Sequence, residues 1–229
     1  MEVLSVPSID NRAISFPTVP DEGETSPTGA PVGNDVTADR AIRAAVSTAV
    51  DREALVDGIL EGFGSPATGP VDGAPWDQPS VEIGDADPDA AVRLLEEAGW
   101  VEGADGVREK DGVRAQFDLV YPASDSLRQG LAVSVADMAA QVGIEVTPVG
   151  ASWEQIEQQM HADAVLFGWG SHDPTEMYNL YHSAQAGVGY WNPGYYSNPV
   201  VDAHLDAAMD AVEEDAANEA WRAAQLDEA

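Results

Sequence analysis

Ala164-Val165-Leu166-Phe167 is a short apolar run rich in strand-favouring residues, and the residues after it, Gly168-Trp169-Gly170-Ser171-His172-Asp173-Pro174, change character at once. The run reads as a buried strand, and the two glycines, having no Cβ, leave room for another backbone or a ligand to come close. Trp169 stands between them as an aromatic wall, His172 and Asp173 add titratable groups, and Pro174 suits the first turn of a helix running from Thr175 to Tyr181. The competing reading is a plain strand-to-helix connection in which Trp169 packs and Asp173 caps.

The stretch sits at the end of a series of alternating elements. Asp87 is placed to cap a helix with Pro88 in its first position, Ala91, Leu94, Leu95 and Ala98 facing inward, Gly99 as terminator and Trp100 returning to the core. Val107 to Lys110 and Val113 to Tyr121 flank Asp111-Gly112, a strong hairpin signal. A helix from Ser126 to Val142 carries Leu127, Leu131, Val135, Met138 and Val142 on one side, and Gly143 closes it. Ile144 to Val149 alternates as a strand, and Ser152 caps a helix from Trp153 to Met160 that leads to Ala164. Helices alternating with strands from residue 87 to residue 184 predict an α/β layer rather than a bundle.

Outside that region the pattern is less regular. Val3 to Val6 and Ala13 to Phe16 are strand-like, and the chain begins as though cut from something longer. Residues 18–34, rich in Pro, Gly, Thr and acids, read as an exposed flexible loop. Two helices meet at Asp51, which is placed as the second one's N-cap, and a long Pro/Gly loop runs from Ser65 to Pro79. Gly187 to Pro199 holds Tyr190, Trp191, Tyr195 and Tyr196 among glycines, prolines and asparagines, a loop with a recognition surface. Two acidic amphipathic helices follow, from Val200 to Val212 and from Asp215 to Leu226, with no strand to receive the second.

Composition narrows the function. With 229 residues and 44% hydrophobic content the chain can bury a core. Forty-one acidic against ten basic residues give a formal charge of -31, which argues against nucleic acid or an anionic membrane as partner and favours a cationic or zwitterionic one. Simple solubility, in a salt-adapted or exported protein, explains the same charge. The absence of Cys rules out a disulfide framework, a thiolate metal site and a Cys nucleophile.

Several blocks taken in order resemble the family 5 extracellular solute-binding proteins of ABC importers, which capture dipeptides, oligopeptides and nickel complexes. Residues 40–53 are similar to that family's "VRQAISYAIDRE" block, residues 62–70 to its "G-x-G-x-PA-x-GP" loop and residues 87–100 to its "DPEKAKALLAEAGW" helix. Gly143-Ile144-Glu145-Val146 looks like its "LGI-x-V" strand, Phe167-Gly168-Trp169 begins its ligand-proximal "GW" or "WG" block, and Tyr196 to Asp202 matches "YSNPEVD". The resemblance implies one α/β lobe, spanning residues 1–229, of a two-lobed periplasmic-binding-protein-like fold of class II, with the N-terminal lobe absent from this chain. It implies a non-enzymatic, monomeric protein without a cofactor. Its partners are a small-molecule or peptide solute and ABC permease subunits, and it works outside the cell or in the periplasm, as a lipoprotein anchored to the membrane in full length. A single lobe then presents half a site.

Carried over residue by residue, the resemblance makes Trp169 an aromatic wall of the ligand cavity and Asp173 the nearest match to the acid that holds a peptide's α-amino group, with His172 at the spacing where that acid usually stands. In the nickel-complex branch the block runs from Trp-Gly to Asp-Pro, and a His from the following helix or loop can contact the metal; His182 is the nearby candidate, against the plain reading of a helix-end or surface histidine. Gly170, Tyr190 and Trp191 complete the expected ligand-binding set. Two other classes compete. A hydrolase would use Ser171, His172 and Asp173, but adjacent residues rarely converge and no Gly-x-Ser-x-Gly elbow or His-Glu-x-x-His helix is present. A stand-alone acidic interaction domain would fit the charge but not the aromatic and glycine cluster.

Overall fold

The computed structural model describes residues 8–67, 69, 71–81 and 83–228. The strand expected at Val3 to Val6 lies outside the described residues. At the centre is β7 (Ala164–Phe167), buried along its whole length. With no polar side chain to turn toward water, it needs cover on both faces. β5 (Gln116–Pro122) runs parallel to it, β6 (Glu145–Ala151) runs parallel to β5 on the far side, and β1 (Ala13–Ser15) pairs antiparallel with the outer side of β7. The sheet order is β1-β7-β5-β6. Pro148, which has no N–H to give, is tolerated because β6 is an edge strand.

Alternation along β5 sorts the two layers. Phe117, Leu119 and Tyr121 point into a cluster with α1 (Arg40–Ala49), α3 (Pro88–Glu97) and α4 (Ser126–Ala140), while Val120 joins Val165, Phe167, Ile156 and Met160 on the opposite face, where α5 (Trp153–Gln159) lies. Each fully buried side chain of this size contributes about 1.5–3 kcal/mol relative to exposure. The helices start where side-chain oxygens accept first-turn N–H groups. Asp39, Asp87 and Asp125 do so for α1, α3 and α4, Asp51 does so for α2 (Arg52–Ile59), and Ser152 with Gln155 forms a capping box on α5. Asp39 also accepts from Trp100 Nε1 at 3.0 Å and Lys110 Nζ at 2.7 Å, tying the first helix to the hairpin.

Two details depart from the sequence expectations. Leu94 is 36% exposed rather than inward: Ala91, Leu95 and Ala98 form the stripe that meets the core, and Leu94 falls at its margin. The strand expected from Val113 to Tyr121 is two strands. β4 (Val113–Arg114) pairs with β3 (Arg108–Lys110), itself paired with β2 (Val101–Glu102) in a small second sheet, and the turn Asp111-Gly112 takes positive φ at both residues. At Ala115 the chain changes sheets, its N–H bonding Arg108 O and its carbonyl accepting from Glu145 N.

Residues 18–34 form a largely exposed loop, as expected, but one that is anchored to the domain at a few points. Ala30 and Val32 are buried, Gly33 donates to His161 O, and a Cβ on Gly33 would lie 2.1 Å from Pro20 O, so the short side chains allow the segment to fold onto itself and the domain. The long loop before Pro79 wraps the C-terminal helices. α6 (Thr175–Tyr181), α7 (Pro199–Asp210) and α8 (Glu214–Glu228) form a third core through Met177, Leu205 and Trp221, and Gln225 on α8 clasps the loop by bonds to Trp76 O at 2.7 Å and from Gln78 N at 3.1 Å. No described helix is long and apolar enough to cross a membrane.

Asp163, in the turn before β7, is half-buried and faces Asp118 of β5. Burial, and then the like charge of Asp118, push its carboxyl up to about 6. A carboxyl whose pKa is higher folded than unfolded makes folding take up protons, so the fold is relatively favoured at low pH and loses that contribution as pH rises through the folded value. Asp163→Asn is therefore expected to raise the melting temperature above about pH 6 and leave it little changed near pH 4, as read by thermal unfolding across that range.

Candidate ligand-binding face

The connections around β5 and β6 leave to opposite faces of the sheet: β5 passes into α4 on one side, β6 into α5 on the other. In an open α/β sheet such a reversal leaves a crevice at the carboxyl ends of the two strands. The crevice is there, an open concavity of about 500 Å³ between Pro122-Ala123-Ser124 after β5 and Gly150 to Gln155 after β6. Beside it the carboxyl end of β7 delivers Gly168, Trp169 and Gly170.

Trp153, first residue of α5, joins the two regions. It lines the crevice and stacks on Phe167 at 6.4 Å between ring centroids. Phe167 in turn meets Trp169 at 5.0 Å and Tyr190 at 6.3 Å, and Tyr190 stands nearly perpendicular to Trp153 at 5.9 Å. Trp153 is 44% exposed and Tyr190 37%, whereas Trp169 is partly buried against the cluster under α5. The result is an aromatic patch with its outer rings open to solvent. Sequence reasoning placed Tyr190 and Trp169 here and missed Trp153, whose signal was a large aromatic at the exposed start of an otherwise polar helix. Trp191 is half-buried, pairs with Val188 in a short bridge and makes none of these ring contacts.

The two glycines admit backbone, not open space. A Cβ on Gly168 would lie 2.5 Å from Asn11 O, and one on Gly170 2.4 Å from Asp10 Cα, because the segment entering β1 crosses there and Asn11 N donates to Trp169 O at 2.7 Å. Over Gly168 the guanidinium groups of Arg12 and Arg128 also converge, 2.7 and 2.9 Å from the same point. Arg12 pairs with Asp10 at 2.8 Å and Arg128 with Asp125, and the Nε of each is buried without a hydrogen-bond partner. Two of the chain's ten basic residues thus meet at the end of the central strand, unforeseen because they are far apart in sequence.

His172 and Asp173 are exposed at the far side of the glycine corner. Asp173 accepts from Thr175 N at 3.0 Å and Thr175 Oγ1 at 2.7 Å, and these bonds hold its carboxyl below the usual range. Glu176 accepts from Gly170 N and Ser171 N at 3.4 and 3.2 Å. Asp173 therefore serves the start of α6. Ser171 Oγ accepts from Asp173 N at 3.0 Å, and among the described hydrogen bonds none links His172 to either neighbour, so the trio is not arranged as a nucleophilic relay.

His182 is buried within the fold rather than presented to a metal. Its Nδ1 accepts from Ala184 N at 3.0 Å, its ring stacks on Tyr178 at 4.4 Å, and Nε2 sits 3.3 Å from Asp206 without being aimed at it. Among the described residues no group of three or more His, Asp or Glu is placed to hold a metal ion.

With the geometry laid out, comparison with known proteins identifies the family. Residues 6–191 match the model described as bacterial extracellular solute-binding proteins, family 5 Middle. The chain is 50% identical over 182 residues to Protein XP55 of Streptomyces lividans, covering 77% of this chain and 33% of that protein, and 31% identical over 178 residues to the oligopeptide-binding protein AppA of Bacillus subtilis, covering 74% and 33%. The fold agrees with solved structures: NikZ of Campylobacter jejuni in complex with Ni(L-His), TM-score 0.81 at 24% identity, covering 94% of this chain and 42% of that one, and AppA of Bacillus subtilis with a nonapeptide, TM-score 0.76 at 24% identity, covering 96% and 44%. The chain belongs to the family 5 solute-binding proteins, has their periplasmic-binding-protein-like α/β fold, and spans about a third of the length of these curated relatives.

The crossing at the glycine corner makes one outcome specific. Gly170→Ala is expected to cost about 1–3 kcal/mol in urea unfolding, because the added methyl drives into the Asp10 backbone. Gly84→Ala, with open space around it, is expected to change stability by less than about 1 kcal/mol. Equal stability of the two variants would show that the β1 segment does not cross there.

Proposed function

We propose that this chain is the C-terminal lobe of the solute-capturing component of an ABC importer, and that it holds a peptide or a metal complex on the face formed by the carboxyl ends of β5, β6 and β7, against a second lobe of the same polypeptide. Family membership supplies the class, an extracellular or periplasmic binding protein that works with a permease. The observation that supports the face is the aromatic patch of Trp153, Phe167, Trp169 and Tyr190 beside the crevice at the strand ends.

The arrangement suits capture rather than turnover. Stacked and tilted rings bury apolar parts of a solute at low entropic cost. Arg12 and Arg128, paired with Asp10 and Asp125, stand over Gly168, and the carboxylates of Asp173 and Glu176 gather just after Gly170. Guanidinium and carboxylate groups gathered at one corner can meet both ends of a zwitterion such as a peptide, or a chelate carrying carboxylates. Closing a second lobe over this surface would supply the remaining walls and exclude water.

Titration calorimetry of the full-length protein with a peptide series and with nickel chelates tests this. Trp169→Ala is expected to weaken binding of the captured solute at least about tenfold, equivalent to about 1.4 kcal/mol, with a smaller effect on unfolding free energy. The isolated lobe is expected to bind far more weakly than the full-length protein. Unchanged affinity in Trp169→Ala, or equal affinity of lobe and whole, would overturn the assignment.

A further inference from the structure

The face just described has a part that a zwitterion bound between the arginines and Asp173 does not use. Trp153 and Tyr190 meet nearly at right angles, 81° between ring planes at 5.9 Å, and both are exposed. Behind them Phe167 lies 19° from the plane of Trp153 and 74° from that of Tyr190, which fixes the corner from below. The corner is therefore rigid: its two outer rings rest on a side chain that is itself buried in the core under α5. Glu154 and Glu157, on the same helix as Trp153, lie close enough to act electrostatically on the Tyr190 hydroxyl, which they push up after burial has done so. Neither glutamate is in any of the ion pairs found among the described residues, whereas Asp10, Asp125 and Asp39 each have a basic partner.

We propose that Trp153 and Tyr190 form two walls of an aromatic cage, rimmed by Glu154 and Glu157, that receives a cationic group of the solute, a substituted ammonium or a guanidinium. The electrostatics favour this occupant over an apolar one. A cation is attracted to the faces of both rings through their quadrupoles, and the two carboxylates, one of them bonded by Ser152 but neither with a basic partner among the described residues, add to that attraction while offering a neutral group nothing. Two faces at right angles contact a rounded cation on two sides, as one flat wall could not. This deepens the reading of the chain as a solute-binding lobe and rests on it: it adds that the captured solute carries a positive group reaching from the Trp169 region to the start of α5.

The test compares choline with its uncharged isostere 3,3-dimethylbutan-1-ol in equilibrium titrations of the full-length protein at fixed ionic strength. Choline is expected to bind about fivefold more tightly, the upper end for a cation over exposed rings. Trp153→Ala, which leaves net charge unchanged, is expected to bring the ratio close to one, Trp153→Phe to keep part of it, and Glu157→Gln to reduce it about twofold. A ratio near one in the wild type, or one that Trp153→Ala leaves intact, overturns the cage. Capture of peptides or chelates in the same preparations separates the two readings. A protein that still captures its solute but shows no choline preference loses the cage alone; one with a Trp153-dependent preference and no capture of any peptide or chelate keeps the cage and loses the transport role.

Discussion

The structure depends on one constraint, the burial of β7 on both faces. A four-residue strand with no polar side chain cannot sit at a surface, so α1, α3 and α4 must cover one side and α5 the other. Helices on both faces require the chain to leave neighbouring strands in opposite directions, and that reversal opens the crevice at the ends of β5 and β6. The same strand then places Gly168 and Trp169 beside the crevice. Core and candidate site are consequences of one buried segment, which is why Phe167 both fills the core and supports the aromatic patch.

How much of this could be read from the sequence depends on range. Helix starts were legible because capping is local: Asp51, Asp87 and Ser152 act within three residues of themselves. The strand at Ala164 and the hairpin at Asp111-Gly112 were legible for the same reason. The place of β1 beside β7, the anchoring of residues 18–34 and the clasp of Gln225 on the loop at Trp76 were not, since each rests on partners more than a hundred positions away or on packing that short side chains permit without announcing it. At the candidate face, the glycine-rich surroundings of Trp169 and Tyr190 single them out in sequence, and both rings meet Phe167. Trp153, Arg12 and Arg128 were missed because nothing near them in sequence says that they meet. His182 and Asp173 stand differently: their type suggests chemistry, while in the fold each accepts from a backbone N–H group, which for His182 fits the plain helix-end reading.

The acidic composition also takes on a shape. Most carboxylates are scattered over the surface, and a net charge of -31 keeps such a chain soluble without any role in recognition. Near the face the pattern is not uniform. Arg12 and Arg128 hold their own acids at the end of β7, while Glu154 and Glu157 at the start of α5 have no basic partner among the described residues. The surface thus carries ion-paired arginines at one place, acids without a basic partner among the described residues at another, and exposed rings nearby.

The claim on which the account turns is that solute is held at the carboxyl ends of the central strands. Hydrogen exchange of the full-length protein with and without bound solute addresses it directly. Slowed exchange is expected at residues 150–155, 168–173 and 188–191, with the helical pair at residues 199–228 unaffected. Protection confined to that helical pair, or none at the strand ends, would contradict it.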